Sequence, residues 1–422
     1  MKIAVVGLWH LGTITALSLS KLNNLVYAFD EKKIVDQFNL NDPPVQENGV
    51  LKLLKKHKKK NLFFDQNIKK LKKFNLVWVT YDSKIDNHDR SDFKYIFLKI
   101  KKILKFVKKN TTILISSQLK IGSIKKIENF EKKFVRKNIS FVYIPENLRL
   151  GSSINLFLKP DRIVIGLRNN KNFKKNKLIV NKLFHKFNCP KIIVSPETAE
   201  MTKHVINSFL ACSVSFINEI SQISRNYNIS FDDLENCVKS DKRIGKFAYL
   251  RPGNAFSGGT LARDLNFLIR EGEKYNTNYQ LIKSINKSNN IHGKFLKRIL
   301  SKNIRSKKTK ILQVGLSYKK NTSTIRRSIP YSLFNGLKKK FYIKIYDKYL
   351  FNHKNEVKNL TKYFLNSSSK EKFDLILIFS KLQNLNKIKE NIKNNAKIID
   401  FEGSNKKSIL SKNLSYISLE NE

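Results

Sequence analysis

The chain has 422 residues, enough for two or three domains with well-buried cores. Its 41% hydrophobic and 27% charged residues are globular composition, and no apolar run reaches the roughly 18 residues that span a bilayer, so no membrane partner is expected. Lys and Arg number 83 against 33 Asp and Glu, a net charge of +50. The lysines are scattered along the chain, without the interleaved aromatics of RNP-type binders, so compositional bias explains them better than a specific nucleic-acid partner. The excess still attracts anionic small molecules.

In chain order, "KIAVVG" reads as a buried strand, "GLWHLG" as a turn, "TITALSLSKL" as a helix, and "NLVYAFD" as a second strand ending in an acid. The first strand begins almost at the first residue, which argues against a cleaved leader. Apolar runs follow in "NLVWVT", "TTILISSQ", "SFVYIPE" and "DRIVIG", several of them separated by helical segments. This alternation predicts a parallel, doubly wound α/β sheet. From Pro196 the spacing turns helical and stays so, with interruptions, to about residue 300. Strand patterns restart in "KTKILQVGLSY" and continue through "FYIKIYD", "FDLILIFS" and "AKIIDFEG", a second and smaller α/β region. Three cysteines, Cys189, Cys212 and Cys237, have no metal-ligand spacing. They suggest a reduced, cytoplasmic protein with no metal site.

Four pieces carry chemistry. In "GLWHLG", Gly7, Leu11 and Gly12 open a helix after a strand, and Asp30 follows about twenty residues on, the setting in which a diphosphate meets a helix N-terminus and an acid takes ribose hydroxyls. Trp9 stands where a second glycine is usual, so a tight turn without cofactor is the alternative; with Asp30, NAD is favoured over NADP. Lys203 and Asn207 lie four apart on one helix face, as a base with its orienting amide or as a solvated face. In "RPGNAFSGGTLARDLNFL", Asp264 is either a base or water-orienting acid, or the N-cap of a helix over 265–272. Glu146 and Arg149 end another strand, facing the crevice at the sheet's carboxyl edge.

Together, and in this order, these segments resemble the UDP-glucose/GDP-mannose dehydrogenase family along essentially the whole chain. "PPVQENGV" is similar to the family's P-x-x-E-P-G-L, and "SSQLKIGS", with Ser117, to its S-T-V-P-P-G-T. "PENLRLG…KPDRIVIG" resembles P-E-F-L-R-E-G…P-D-R-I-V-I-G, and "AEMTKHVINSFLACSVSFINEI" resembles the A-E-x-x-K-x-x-x-N helix. "GLSYKKNTSTIRRS" is similar to G-x-x-F-K-x-x-T-D-D-x-R-x-S. The resemblance implies an NAD-binding Rossmann domain over 1–195, a central helical dimerisation domain over 196–300, and a C-terminal Rossmann-like nucleotide-sugar domain over 308–422. It implies a homodimer, NAD as cofactor and a UDP- or GDP-sugar as substrate. Catalysis would fall to Lys203, Asn207, Asp264 and Glu146, with Thr260 at the nucleophile's place. NAD would meet Gly7, Leu11, Gly12, Asp30, Ser117, Glu146, Arg263 and Arg326. The substrate would meet Arg149, Lys203, Asn207, Phe256, Gly258 and Lys319, together with Arg243 lent by a neighbouring subunit.

The departures are specific. The family's F-G-G-S-C-F-P-K-D loop here runs from Phe256 to Asp264, and its catalytic cysteine is Thr260. A threonine hydroxyl is far less acidic than a thiol and needs a strong adjacent base. The second glutamate of P-E-F-L-R-E is Leu150. Two parts of the thioester stage are thus missing together, which points to oxidation of a sugar hydroxyl either by a single hydride transfer or to an acid by a noncovalent route. An NAD-using epimerase and a catalytically impaired nucleotide-sugar binder are the alternatives.

Overall fold

The computed structural model describes the chain apart from residues 46, 84–91, 150, 228, 257–259, 305, 318–324, 326–327, 353, 367, 381–385, 403–413 and 420–422, and apart from the side chains of 352, 354–356, 386 and 387. The described residues divide into two compact units, Met1–Val205 and Ile206–Glu422.

The first unit is built on eight strands: β1 (Lys2–Val6), β2 (Leu25–Phe29), β3 (Leu62–Asp65), β4 (Leu76–Val79), β5 (Thr112–Ile115), β6 (Ser140–Tyr143), β7 (Ile163–Leu167) and β8 (Lys191–Val194). They lie in the order β3-β2-β1-β4-β5-β6-β7-β8. The first six reproduce the dinucleotide-binding doubly wound order, whose switch point falls between β1 and β4. Successive residues of β1 point to opposite faces: Ile3 and Val5 pack with Leu17 and Trp78, while Ala4 and Val6 pack with Val77 and Val79. Both faces are therefore covered, as the unbroken apolar run requires. One pairing departs from the expected parallel sheet: β7 runs antiparallel to β6, in register Val142 to Leu167. The helices are α1 (His10–Lys21), α2 (Lys32–Asn39), α3 (Val50–His57), α4 (Phe93–Phe106), α5 (Ser123–Phe130), α6 (Ser153–Leu158) and α7 (Phe173–Phe184).

Helix α8 (Pro196–Ser224) crosses the boundary between the units. Its start is well specified. Ser195 Oγ accepts the Thr198 amide at 3.1 Å, Pro196 takes the first helical position, and Glu197 sits in the first turn. The second unit continues with α9 (Phe231–Ser240), α10 (Leu261–Lys274), α11 (Gln280–Asn303), β9 (Ile311–Val314), α12 (Ile329–Leu337), β10 (Ile343–Tyr346), β11 (Phe373–Ile378), β12 (Ile392–Asp400) and β13 (Ser415–Ser418). Its five strands are all parallel, in the order β10-β9-β11-β12-β13. This is a second doubly wound sheet with its switch point between β9 and β11.

Candidate active site

The β1–α1 turn is shaped by two glycines. Gly7 has φ +98°, a left-handed conformation, and a Cβ there would lie 2.7 Å from the Tyr81 ring. A Cβ on Gly12 would lie 1.7 Å from the Gly7 carbonyl, so only glycine lets α1 start this close to the strand. Asp30, just past β2, accepts the Leu8 amide at 2.5 Å and the Glu31 amide at 2.7 Å, and burial raises its pKa. Trp9 is exposed, and Leu11 is buried with its amide 3.4 Å from Asp82 Oδ2. After β5, Ser117 is fully buried and its hydroxyl has no partner among the described residues. The glycine cradle, the acid after β2 and this orphaned hydroxyl fit a dinucleotide laid across the sheet's switch point.

Sequence reasoning did not single out the pair behind that turn. His10 Nε2 lies 2.6 Å from Glu47 Oε1 and 3.0 Å from Ser153 Oγ. Glu47 also accepts the Ser153 amide at 3.1 Å and the Ser153 hydroxyl at 3.0 Å. Burial opposes the charged imidazole, but the Glu47 bond and the charges of Glu47, Asp82 and Glu146 outweigh it and raise the ring's pKa. Burial likewise opposes the charged carboxylate, yet the bonds from His10 and Ser153 hold Glu47 below its ordinary value.

Beyond β6, Lys203 Nζ donates to the Glu146 carbonyl at 2.9 Å and stands 3.1 Å from Glu146 Oε1. Glu146 in turn accepts the Leu148 amide at 2.8 Å. Lys203 is therefore at the carboxyl edge of the first sheet and not on a solvated face; its residue exposure is 8%. Arg149 is exposed, and its carbonyl, 2.8 Å from Ser153 Oγ, is an alternative to Glu47 as acceptor for the one hydroxyl hydrogen. One turn ahead of Lys203, Glu200 is fully buried and accepts the Gly122 amide at 2.6 Å and the Ile124 amide at 2.9 Å. His204 Nε2 lies 3.2 Å from the Leu119 carbonyl. Glu200 and His204 thus tie α8 to the segment following Ser117.

In the second unit, Asn207 Nδ2 donates to Asp264 Oδ2, joining α8 to α10. Asp264 is fully buried, and the Nε of Arg263, itself buried, is 3.8 Å from its other oxygen. The N-cap alternative for Asp264 is corrected: α10 starts at Leu261, Thr260 is the capping residue, and Asp264 is in the first turn. Thr260 is exposed, and its hydroxyl makes no capping bond. The loop before it is pinned by residues that the sequence pattern did not flag. Asn289 accepts the Phe256 amide at 2.8 Å and donates to the Phe256 carbonyl at 3.0 Å. Asn218 Oδ1 accepts the Gly253 amide at 2.9 Å, and His292 Nε2 lies 2.8 Å from the Gly253 carbonyl. Burial lowers the His292 pKa, so a neutral ring donating to that carbonyl is the state the loop favours. Arg243 is exposed and held 2.6 Å from Asp241. Gly258, Lys319 and Arg326 lie outside the described residues. Among the described residues, no cluster of His, Cys, Asp and Glu could hold a metal ion, and no helix is long and apolar enough to cross a membrane.

Comparison with known proteins follows the same division. Residues 1–188 match the NAD binding domain of the UDP-glucose/GDP-mannose dehydrogenase family, and residues 197–291 match that family's central domain. The chain is 28% identical over 394 residues to a UDP-glucose 6-dehydrogenase of Rickettsia typhi, covering 90% of this chain and 88% of that protein. It is 30% identical over 277 residues to an uncharacterized protein of Methanocaldococcus jannaschii, covering 64% of this chain but 30% of that protein. Among solved structures, a UDP-glucose dehydrogenase from the hyperthermophilic archaeon Pyrobaculum islandicum shares the fold over 100% of this chain and 98% of its own, with a TM-score of 0.84 at 19% identity. Two successive domains of one family thus account for most of the chain, which belongs to the UDP-glucose/GDP-mannose dehydrogenase family of NAD-dependent dehydrogenases.

Proposed function

We propose that the chain oxidises one hydroxyl of a UDP- or GDP-sugar with NAD, and stops after a single hydride transfer. The observation that carries this reading is the placement of Lys203 at the end of β6, against Glu146, one helical turn before Asn207 on α8. An ammonium has three hydrogens, and two contacts to Glu146 leave one for a substrate oxygen. Lys203 steadies the alkoxide as the hydroxyl proton leaves to the Lys203–Glu146 pair. Asn207, fixed by Asp264, orients the sugar. NAD, when bound, accepts the hydride from the same carbon. Gly7, Gly12, Asp30 and Ser117 would hold NAD, and Phe256, Gly258 and Arg149 the sugar.

Thr260 supports the single step. It is exposed at the start of α10 with no side-chain capping bond, and a threonine hydroxyl needs a strong adjacent base to act as a nucleophile. The three-part division 1–195, 196–300 and 308–422, the roles of Arg243, Arg263, Lys319 and Arg326, and a cytoplasmic setting belong to the same proposal. So does a homodimer. Phe209, Phe216 and Ile223 recur every seven residues on α8 and are all exposed, an apolar stripe suited to a second copy.

The test is a screen of UDP-, GDP- and dTDP-sugars with NAD, reading NADH absorbance and product mass. One NADH per sugar and a two-electron product are expected, with Lys203→Ala lowering kcat roughly 10²- to 10⁴-fold. Two NADH and an acid product would overturn the single-step reading. An altered sugar without net NADH would indicate an epimerase.

A further inference from the structure

We propose that His10, fastened by Glu47 and Ser153, is the cation of the dinucleotide turn, and that its positive charge lets the turn accept the diphosphate of NAD. The inference rests on NAD binding at the α1 N-terminus. It adds a cofactor-positioning residue there.

The geometry is that of a built charge site. His10 is the first residue of α1, beside the amides that a diphosphate approaches. Carboxylates from three separate segments act on its ring through their charge: Glu47 ahead of α3, Asp82 after β4 and Glu146 after β6. Glu47 is in direct contact at 2.6 Å, with a side chain only 5% exposed. Asp82 reaches the Leu11 amide itself. A diphosphate entering here meets the negative charge of these acids, and Trp9 replaces the glycine that would let backbone amides draw nearer. One charged imidazole cancels Glu47 and leaves the helix N-terminus to act on the anion. Loss of that proton exposes the full Glu47 charge to the diphosphate. Ser153 is the second clamp: its amide and hydroxyl both serve Glu47, while its hydroxyl also reaches Nε2. Among the described residues the hydrogen-bond contacts of His10 all fall on Nε2, which leaves the other ring nitrogen for the anion.

The sign follows from the proton. The imidazolium is present below the raised pKa of His10 and is lost as pH rises through it, so cofactor affinity falls in that direction. The experiment is NADH titration by calorimetry from pH 6 to pH 9 on the full chain, for the native protein, His10→Gln and Glu47→Gln. Native affinity is expected to weaken about tenfold across the range, a charge-sized effect. His10→Gln should bind weakly at every pH. Glu47→Gln should bind NADH more tightly than the native protein at pH 9, a gain that no unfolding can mimic. A native-like titration of His10→Gln at pH 6, or no gain for Glu47→Gln at pH 9, overturns the proposal. A native protein that binds NADH at no pH overturns both this inference and the dehydrogenase reading. Native binding with a flat pH profile overturns the inference alone.

Discussion

Asn207 donates to Asp264 across the α8–α10 contact, and Asp264 is among the fully buried acids of the second unit. The amide supplies a hydrogen to a carboxylate that has left water, and removal of either partner costs the other a buried hydrogen bond. Asn207→Ala and Asp264→Ala should each destabilise the protein by about 1–3 kcal/mol and lower kcat. The double variant should lose much less than the sum, because the bond they share is lost only once. Urea unfolding of the three variants checks this, and strictly additive losses would count against a coupled pair.

Glu200 sets a pH dependence of stability. Its burial raises the carboxyl pKa to about 7, against the opposing pull of the Ile124 and Gly122 amides. A folded-state pKa above the unfolded one means that the native state holds the proton longer, so stability falls as pH rises from about 4.5 to 7. The size is roughly 3 kcal/mol over that window. Glu200→Gln cannot match both amide bonds and should be less stable at pH 5. Its deficit should shrink as pH approaches 8, because only the native chain carries the desolvated charge. Thermal unfolding of both proteins between pH 5 and pH 8 measures the difference in slope. Parallel curves would show that Glu200 does not titrate in this range.

On the proposed placement of NAD, Asp82 would compete with the cofactor for one backbone group. Its Oδ2 lies 3.4 Å from the Leu11 amide, in the first turn of α1 where a diphosphate would dock. Asp82→Asn removes a negative charge from the helix N-terminus and should tighten NADH binding about two- to fivefold at low ionic strength, less at high salt. Calorimetry at two salt concentrations tests both parts. Weaker binding by the variant would mean that Asp82 assists the cofactor.

The sequence made the strand–turn–helix of residues 2–21 legible because three signals coincide there: a buried apolar run, two glycines at fixed spacing and a helix without breakers. It made Lys203 and Asn207 legible only through their motif, since helical spacing of two polar residues describes a solvated face equally well. Burial against Glu146 and Asp264 decides between these readings, and those partners lie 57 residues away in each case. Strands β3, β8 and β13 escaped because each is the edge of its sheet and has at most one buried residue, so none carries the unbroken apolar run of a central strand. The antiparallel setting of β7 escaped because an apolar run carries no direction. Asn218, Asn289 and His292 look like ordinary helix polar residues until Gly253 and Phe256 fold against them. His10 was hidden by the glycine pattern around it, whose spacing draws attention to Gly7 and Gly12.

Thr260 offers the most direct probe of how far the reaction runs. It caps α10 and is exposed, so a thiol introduced by Thr260→Cys would sit at a helix N-terminus, where thiolates are stabilised. If the native enzyme makes a sugar aldehyde, that thiolate can add to the carbonyl carbon to give a thiohemiacetal. A second hydride then passes to a second NAD, and a thioester is left on the protein. In sequence Leu150 replaces the second glutamate of the family's P-E-F-L-R-E, the residue associated with water attack, so the ester should accumulate. Intact mass of the Thr260→Cys protein after incubation with substrate and NAD should rise by one nucleotide-sugar acyl group, and NADH per sugar should exceed one. An unchanged mass and a stoichiometry still at one would show that residue 260 does not reach the oxidised carbon, or that this carbon bears a ketone.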